Sequence, residues 1–138
     1  MVDRDELIAI AKTYLDGLLA CDGAGAALAP DCWRIEQGRN SGRNAEEIRA
    51  SLKTMAYVDG IRDLRWYVDQ GGEDVIAWYL LDVEGVTSFI AERFRIVDSL
   101  IREIEVVFAF AVGSKLMPWP QDETMAWPKN PDGSFQFS

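Results

Sequence analysis

Histidine is absent from all 138 residues. That excludes Ser-His-Asp and Cys-His nucleophilic sites, the paired-histidine zinc motif and any imidazole acid/base pair. Chemistry in this chain must run on Asp, Glu, Tyr, Lys, Arg or a bound cofactor. Cysteine is scarce: Cys21 and Cys32 are too few for a disulfide framework and lack metal-ligand spacing, so both are expected to be free thiols. Basic charge is also short, with 14 Lys and Arg against 23 Asp and Glu for a net charge of −9. Such a field repels nucleic acid and anionic membranes, and no basic patch interrupts it. No apolar run approaches a membrane span and no leader-like segment opens the chain, so a cytoplasmic protein is expected.

What remains is the composition of one globular domain, 49% hydrophobic and 27% charged. The segment from Asp3 to Leu19 reads as an amphipathic helix. Asp3 and Glu6 have capping-box spacing, and Leu7, Ala11, Tyr14 and Leu18 form an apolar stripe flanked by Ile8, Leu15 and Leu19. Tyr14 therefore faces inward, where its hydroxyl needs a partner. Asp22 to Pro30 reads as a turn with one or two weak helical turns. Its Gly23-Ala24-Gly25 follows a helix and lacks the third glycine of a dinucleotide loop. A short strand is expected from Cys32 to Gln37, then a solvated turn through Arg43, then a second helix capped by Asn44 with Ile48, Leu52 and Met55 on one face.

From Ile61 the period becomes two. Leu64, Trp66 and Val68 alternate with Arg65, Tyr67 and Asp69. Asp74 to Glu84 is apolar on both faces, and Ile101 to Phe110 places Ile104, Val106, Phe108 and Phe110 together. Between them, Ser88 to Val97 sets Ile90, Glu92, Phe94 and Ile96 on one face, and Phe89, Ala91, Arg93, Arg95 and Val97 on the other. Glu92 is thus expected in the interior, where a carboxyl needs a raised pKa or a dedicated partner. The four strands read as a meander of hairpins. Helices followed by antiparallel strands imply an α+β domain with helices on one face of a curved sheet. The two-faced apolar strand from Val75 to Val83 then implies a homodimer through the outer face of that sheet. The domain is taken as residues 1–112. Residues 113–138 form a Pro/Trp-containing extension, expected to cover the pocket or a partner subunit through Trp119 and Trp127.

The order of elements and several local strings over residues 3–110 resemble the nuclear transport factor 2-like superfamily, in its ketosteroid isomerase and SnoaL-like polyketide cyclase branch. The resemblance implies a cystatin-like α+β barrel: a cone-shaped, curved antiparallel sheet wrapped around a long N-terminal helix, with an apolar pocket between them. Tyr14, in Thr-Tyr-Leu-Asp-Gly-Leu, matches the tyrosine that donates to the substrate oxyanion in the isomerases. Glu36, at the end of Cys-Trp-Arg-Ile-Glu, falls where they carry the general-base aspartate, and Asn40-Ser41-Gly42 before the helix also matches. Glu92 falls where they keep a carboxylic acid neutral as second oxyanion donor. Both carboxylates are Glu here, one methylene longer, and Gln37 stands where the isomerases have proline.

The resemblance implies a cofactor-free isomerase, cyclase or lyase acting on a hydrophobic small molecule, with Glu36, Tyr14 and Glu92 catalytic. Trp33, Ile90, Phe94, Trp66 and Phe108 are expected to line the substrate pocket, and neither a cofactor nor a metal is expected. An alternative is an epoxide-hydrolase-like enzyme, in which two carboxylates bridged by an arginine activate water. Arg34, Arg93 and Arg95 are available for that, although alternation turns Arg93 and Arg95 away from Glu92. A third possibility is a non-catalytic ligand-binding or dimerisation module.

Overall fold

The computed structural model describes residues 3–55, 57–110 and 131–132. Helix α1 (Arg4–Ala20) is followed by a 3-10 turn at Gly23–Gly25, strands β1 (Leu28–Glu36) and β2 (Arg39–Gly42), and helix α2 (Ala45–Leu52). Strands β3 (Val58–Val68), β4 (Asp74–Val83), β5 (Val86–Val97) and β6 (Leu100–Phe110) complete the domain. They form a six-stranded curved sheet in the order β2-β1-β6-β5-β4-β3. The expected α+β class and the β3–β6 meander are both present.

The sheet differs from a wholly antiparallel barrel in two ways. It is mixed, because β1 runs parallel to β6, and it is unclosed. A parallel neighbour requires a long crossover, and here the whole β2–β5 segment supplies it. Strand β1 also begins at Leu28, through a segment expected to be helical. Pro30 is tolerated there because β1 and β6 pair at Leu28 and again only from Trp33, so its missing N–H breaks no ladder bond. The expected solvated loop at residues 38–43 is instead a hairpin. Gln37 and Gly38 take positive φ of 52° and 77°, and β2 returns along β1.

Helix α1 lies across the concave face and buries Leu7, Ala11, Tyr14, Leu15 and Leu18. The stripe is as its spacing predicts, but Leu19 is exposed and the Asp3 side chain makes no capping bond. Asn44 does cap α2, accepting from the Glu47 amide at 2.9 Å. On β5, burial follows the two-residue period: Val86, Ser88, Ile90, Glu92, Phe94 and Ile96 all point into the core. Arg93 and Arg95 point out, paired with Asp74, and Arg93 also reaches Glu103. Both cysteines are free. Burial pushes the Cys32 thiol up to about 12, which leaves it an unreactive core group. Among the described residues no helix is long and apolar enough to cross a membrane. The expected cover by Trp119 and Trp127 lies outside the described residues.

Candidate active site

A cavity of about 750 Å³ opens between α1 and the inner face of the sheet. Its size suits a small organic molecule. Most of its wall is apolar, from Leu18, Met55, Leu81, Val83, Val86, Ile90, Val106, Phe108 and Phe110. Tyr14, Glu36, Tyr79, Ser88 and Glu92 supply polar groups to the same wall, with Tyr57 and Glu84 on exposed segments. The structure thus brings the three residues singled out from the sequence, Tyr14, Glu36 and Glu92, to one cavity.

Each arrives there by a different local rule. Tyr14 is carried inward by the α1 stripe, and its ring meets Phe94 edge-on with centroids 5.5 Å apart. Glu92 is turned inward by the regular alternation of β5 and is only 2% exposed. Glu36 ends β1 beside the Gln37-Gly38 turn, and its side chain is 39% exposed. Gln37 tethers that end to β6, donating to the Phe108 carbonyl at 3.0 Å and accepting from the Phe108 amide at 2.9 Å.

Two hydrogen-bonded groups organise these residues. In the first, Tyr79 on β4 donates to Glu92 Oε1 at 2.8 Å. Tyr79 lies diagonally across the β4–β5 ladder, since Ala77 opposes Glu92 and Ile90 opposes Tyr79; a long side chain spans that diagonal. Burial raises the Glu92 pKa to about 7, further than Tyr79 and Arg34 pull it down. Near neutrality this carboxyl is therefore available as an acid.

In the second group, buried Arg34 is the hub. Its Nη1 donates to Tyr14 Oη at 2.9 Å, its Nη2 to Ser51 Oγ at 2.8 Å and the Ser41 carbonyl at 3.0 Å, and its Nε to Ser41 Oγ at 2.9 Å. The Glu36 carboxylate lies 2.8 Å from the same Nε. Burial opposes the guanidinium charge, but its neighbours outweigh this, led by Tyr14 and Glu36, and the pKa ends above its ordinary value. Desolvation also raises the Tyr14 pKa, so the phenol stays protonated. Tyr14 accepts from Arg34, lines the cavity, and donates its own proton to no described residue.

Of the residues expected to line the substrate pocket, Ile90 and Phe108 lie on the cavity wall, and Trp33, Trp66 and Phe94 lie elsewhere. Trp33 falls on the opposite face of β1 from buried Cys32 and Arg34, opposite Glu103. Trp66 packs against the core from β3, where Arg4 reaches its carbonyl. Phe94 is on the correct face but fully buried beneath Tyr14. Sequence reasoning missed Tyr79, and named Arg34 without its serine partners. Within the described residues no His/Cys/Asp/Glu cluster is arranged to hold a metal ion.

This fold, an open curved sheet with a pocket under its first helix, is shared with solved structures described as NTF2-like and cystatin-like. The family model described as a domain of unknown function, DUF8021, matches residues 1–108, and the chain belongs to that family. No curated protein matches it. Solved structures show the same fold. SalBIII, an epoxide hydrolase/cyclase-like enzyme in pyran ring formation of the polyether salinomycin, superposes with a TM-score of 0.69 at 14% identity, covering 79% of this chain and 95% of its own. A steroid delta-isomerase from Pseudomonas aeruginosa gives 0.62 at 16%, covering 75% and 80%. An NTF2-like protein from Burkholderia xenovorans gives 0.62 at 15%, covering 79% and 93%.

Proposed function

We propose that the chain is a cofactor-independent isomerase, cyclase or lyase that moves a proton on a hydrophobic small molecule. One observation carries this reading: a base candidate and two candidate oxyanion donors, Glu36, Tyr14 and Glu92, line a single, largely apolar cavity. Glu36 removes a proton from carbon next to a carbonyl, and Arg34 holds the carboxylate in place. Charge then develops on the carbonyl oxygen. Tyr14 donates to it with a proton that Arg34 leaves free, and neutral Glu92 donates through its protonated carboxyl. Returning the proton to another carbon isomerises the substrate; closing a ring or expelling a leaving group gives a cyclase or lyase. The fold neighbours include both an isomerase and a cyclase-like enzyme.

Arg34 favours a second reading. Its guanidinium touches both Glu36 and Tyr14, which places a cation beside a base in the manner of a water-activating hydrolase. In that case Glu36 takes a proton from water, the water oxygen opens an epoxide, and Glu92 protonates the released alkoxide. Isotopes separate the two. Apolar unsaturated ketones in deuterium oxide should gain deuterium at carbon under the first reading; apolar epoxides in heavy-oxygen water should give labelled diols under the second. Glu36→Gln should lower whichever turnover is found by roughly two to four orders of magnitude. Full activity in that variant refutes both.

A further inference from the structure

The polar groups given a role so far are Tyr14, Glu36 and Glu92, with Arg34 and Tyr79 bonded to them. Ser88 stands apart from them. It is only 8% exposed, lines the same cavity, and its hydroxyl makes no hydrogen bond with any described residue. Its neighbours across the sheet are Leu81 on β4 and Phe110 on β6, both apolar and both part of the cavity wall. The hydroxyl is open to the cavity, since it is not among the buried side-chain atoms left without a partner, so in the empty cavity water meets its hydrogen bonds. A ligand that fills this part of the cavity displaces that water, and it loses affinity unless it brings a polar group that bonds to the hydroxyl in its place.

The position of Ser88 also sets a length. Ser88 and Glu92 share one face of β5, and the pairing of β5 with both neighbours runs without a bulge from Ser88 to Glu92. Four extended residues at about 3.3 Å each separate them by about 13 Å. Ile90 lies between them on the same face, so the span joining the two polar points is greasy.

We propose that Ser88 is the distal anchor of this cavity, and that its ligand class is an elongated, largely apolar molecule bearing an oxygen function at each end. This rests on the reading of Tyr14 and Glu92 as the group that receives the reacting oxygen. Ser88 then selects for length: a molecule that reaches both ends is held with its reactive oxygen against Tyr14 and Glu92, and a shorter one slides.

Two rigid phenols test the proposal by titration calorimetry on the full chain. Para-phenylphenol carries one hydroxyl, and its para,para′-dihydroxy derivative carries one at each end of the same core. The dihydroxy compound should bind about three- to tenfold more tightly, the worth of one net hydrogen bond. Ser88→Ala should erase that advantage without weakening para-phenylphenol, and Ser88→Thr should restore most of it. Equal binding of the two phenols, or an advantage that survives Ser88→Ala, overturns the distal anchor, as does failure of both to bind. The catalytic reading fails separately. If Tyr14→Phe leaves para-phenylphenol affinity unchanged while Ser88→Ala still removes the dihydroxy advantage, the distal anchor stands and the role of Tyr14 falls.

Discussion

Tyr79 and Glu92 form a pair whose chemistry is set by opposing effects. Burial favours the neutral acid, while the Tyr79 hydroxyl, donating at 2.8 Å, favours the carboxylate. Removing the hydroxyl therefore raises the Glu92 pKa above about 7. If neutral Glu92 donates to the transition state, activity declines as pH rises through that value. Tyr79→Phe should then move the alkaline limb of kcat/KM to higher pH, even though the maximum rate falls. A limb that stays in place would show that Glu92 does not titrate in the catalytic step. The same carboxyl has a stability signature. Its folded pKa lies above the ordinary 4.5, so below 4.5 both states are protonated and nothing is lost. As pH rises towards about 7, the unfolded chain ionises first, and folding loses on the order of 3 kcal/mol. Glu92→Gln keeps an acceptor for Tyr79 and removes the titration. Urea midpoints should therefore fall less between pH 5 and 8 in the variant than in the parent protein.

At the scale of elements, strands were legible in the sequence where one face was plainly polar. On β5 the alternation is unbroken, so the inward position of Glu92 and the outward positions of Arg93 and Arg95 followed from counting by two. Strand β4 gave no such guide. Val75, Ala77 and Tyr79 are buried and Ile76 and Trp78 exposed, but both sets are apolar, so Tyr79 was not recognisable as the partner of Glu92. The aromatic pocket residues show a related limit. Periodicity gives the face but not the depth: Phe94 and Ile90 share a face, yet Phe94 lies under Tyr14 and Ile90 lines the cavity. Arg34 depends on contacts seven and seventeen residues away, which no local pattern encodes. Those contacts make β2 part of the site. A Cβ on Gly42 would lie 2.5 Å from Ile48 Cγ1, so Gly42→Ala forces either the buried Ile48 side chain or β2 itself to shift. The cost should be about 1–3 kcal/mol in denaturant unfolding. Because adjacent Ser41 holds Arg34 through two bonds, turnover should fall in the same variant. A stable, fully active Gly42→Ala would show that β2 does not position the arginine.

For the whole molecule, the convex face of the sheet carries the remaining question. Trp78 is 47% exposed, Phe89 50% and Val107 54%, and they adjoin Ala91 and Ala109 around a shallow groove of about 230 Å³. Contiguous large apolar side chains on one face mark an interaction surface rather than scattered exposure. The flanking charges point to what meets it. Arg93 and Arg95 are already paired with Asp74 and Glu103, so this part of a strongly acidic chain presents little unbalanced charge. A second copy can then approach with the same surface without bringing like charges together, as a two-fold interface requires. We therefore expect a homodimer built on β4, β5 and β6. Trp78→Asp places a charge at the centre of that interface, where burial without a partner is costly. In sedimentation at micromolar concentration the parent chain should run as a dimer and Trp78→Asp mainly as a monomer. Because the Trp78 side chain points away from the cavity, the monomer should keep its cavity and bind para-phenylphenol normally. A parent chain that sediments as a monomer would overturn the dimer and leave the site beneath α1 untouched.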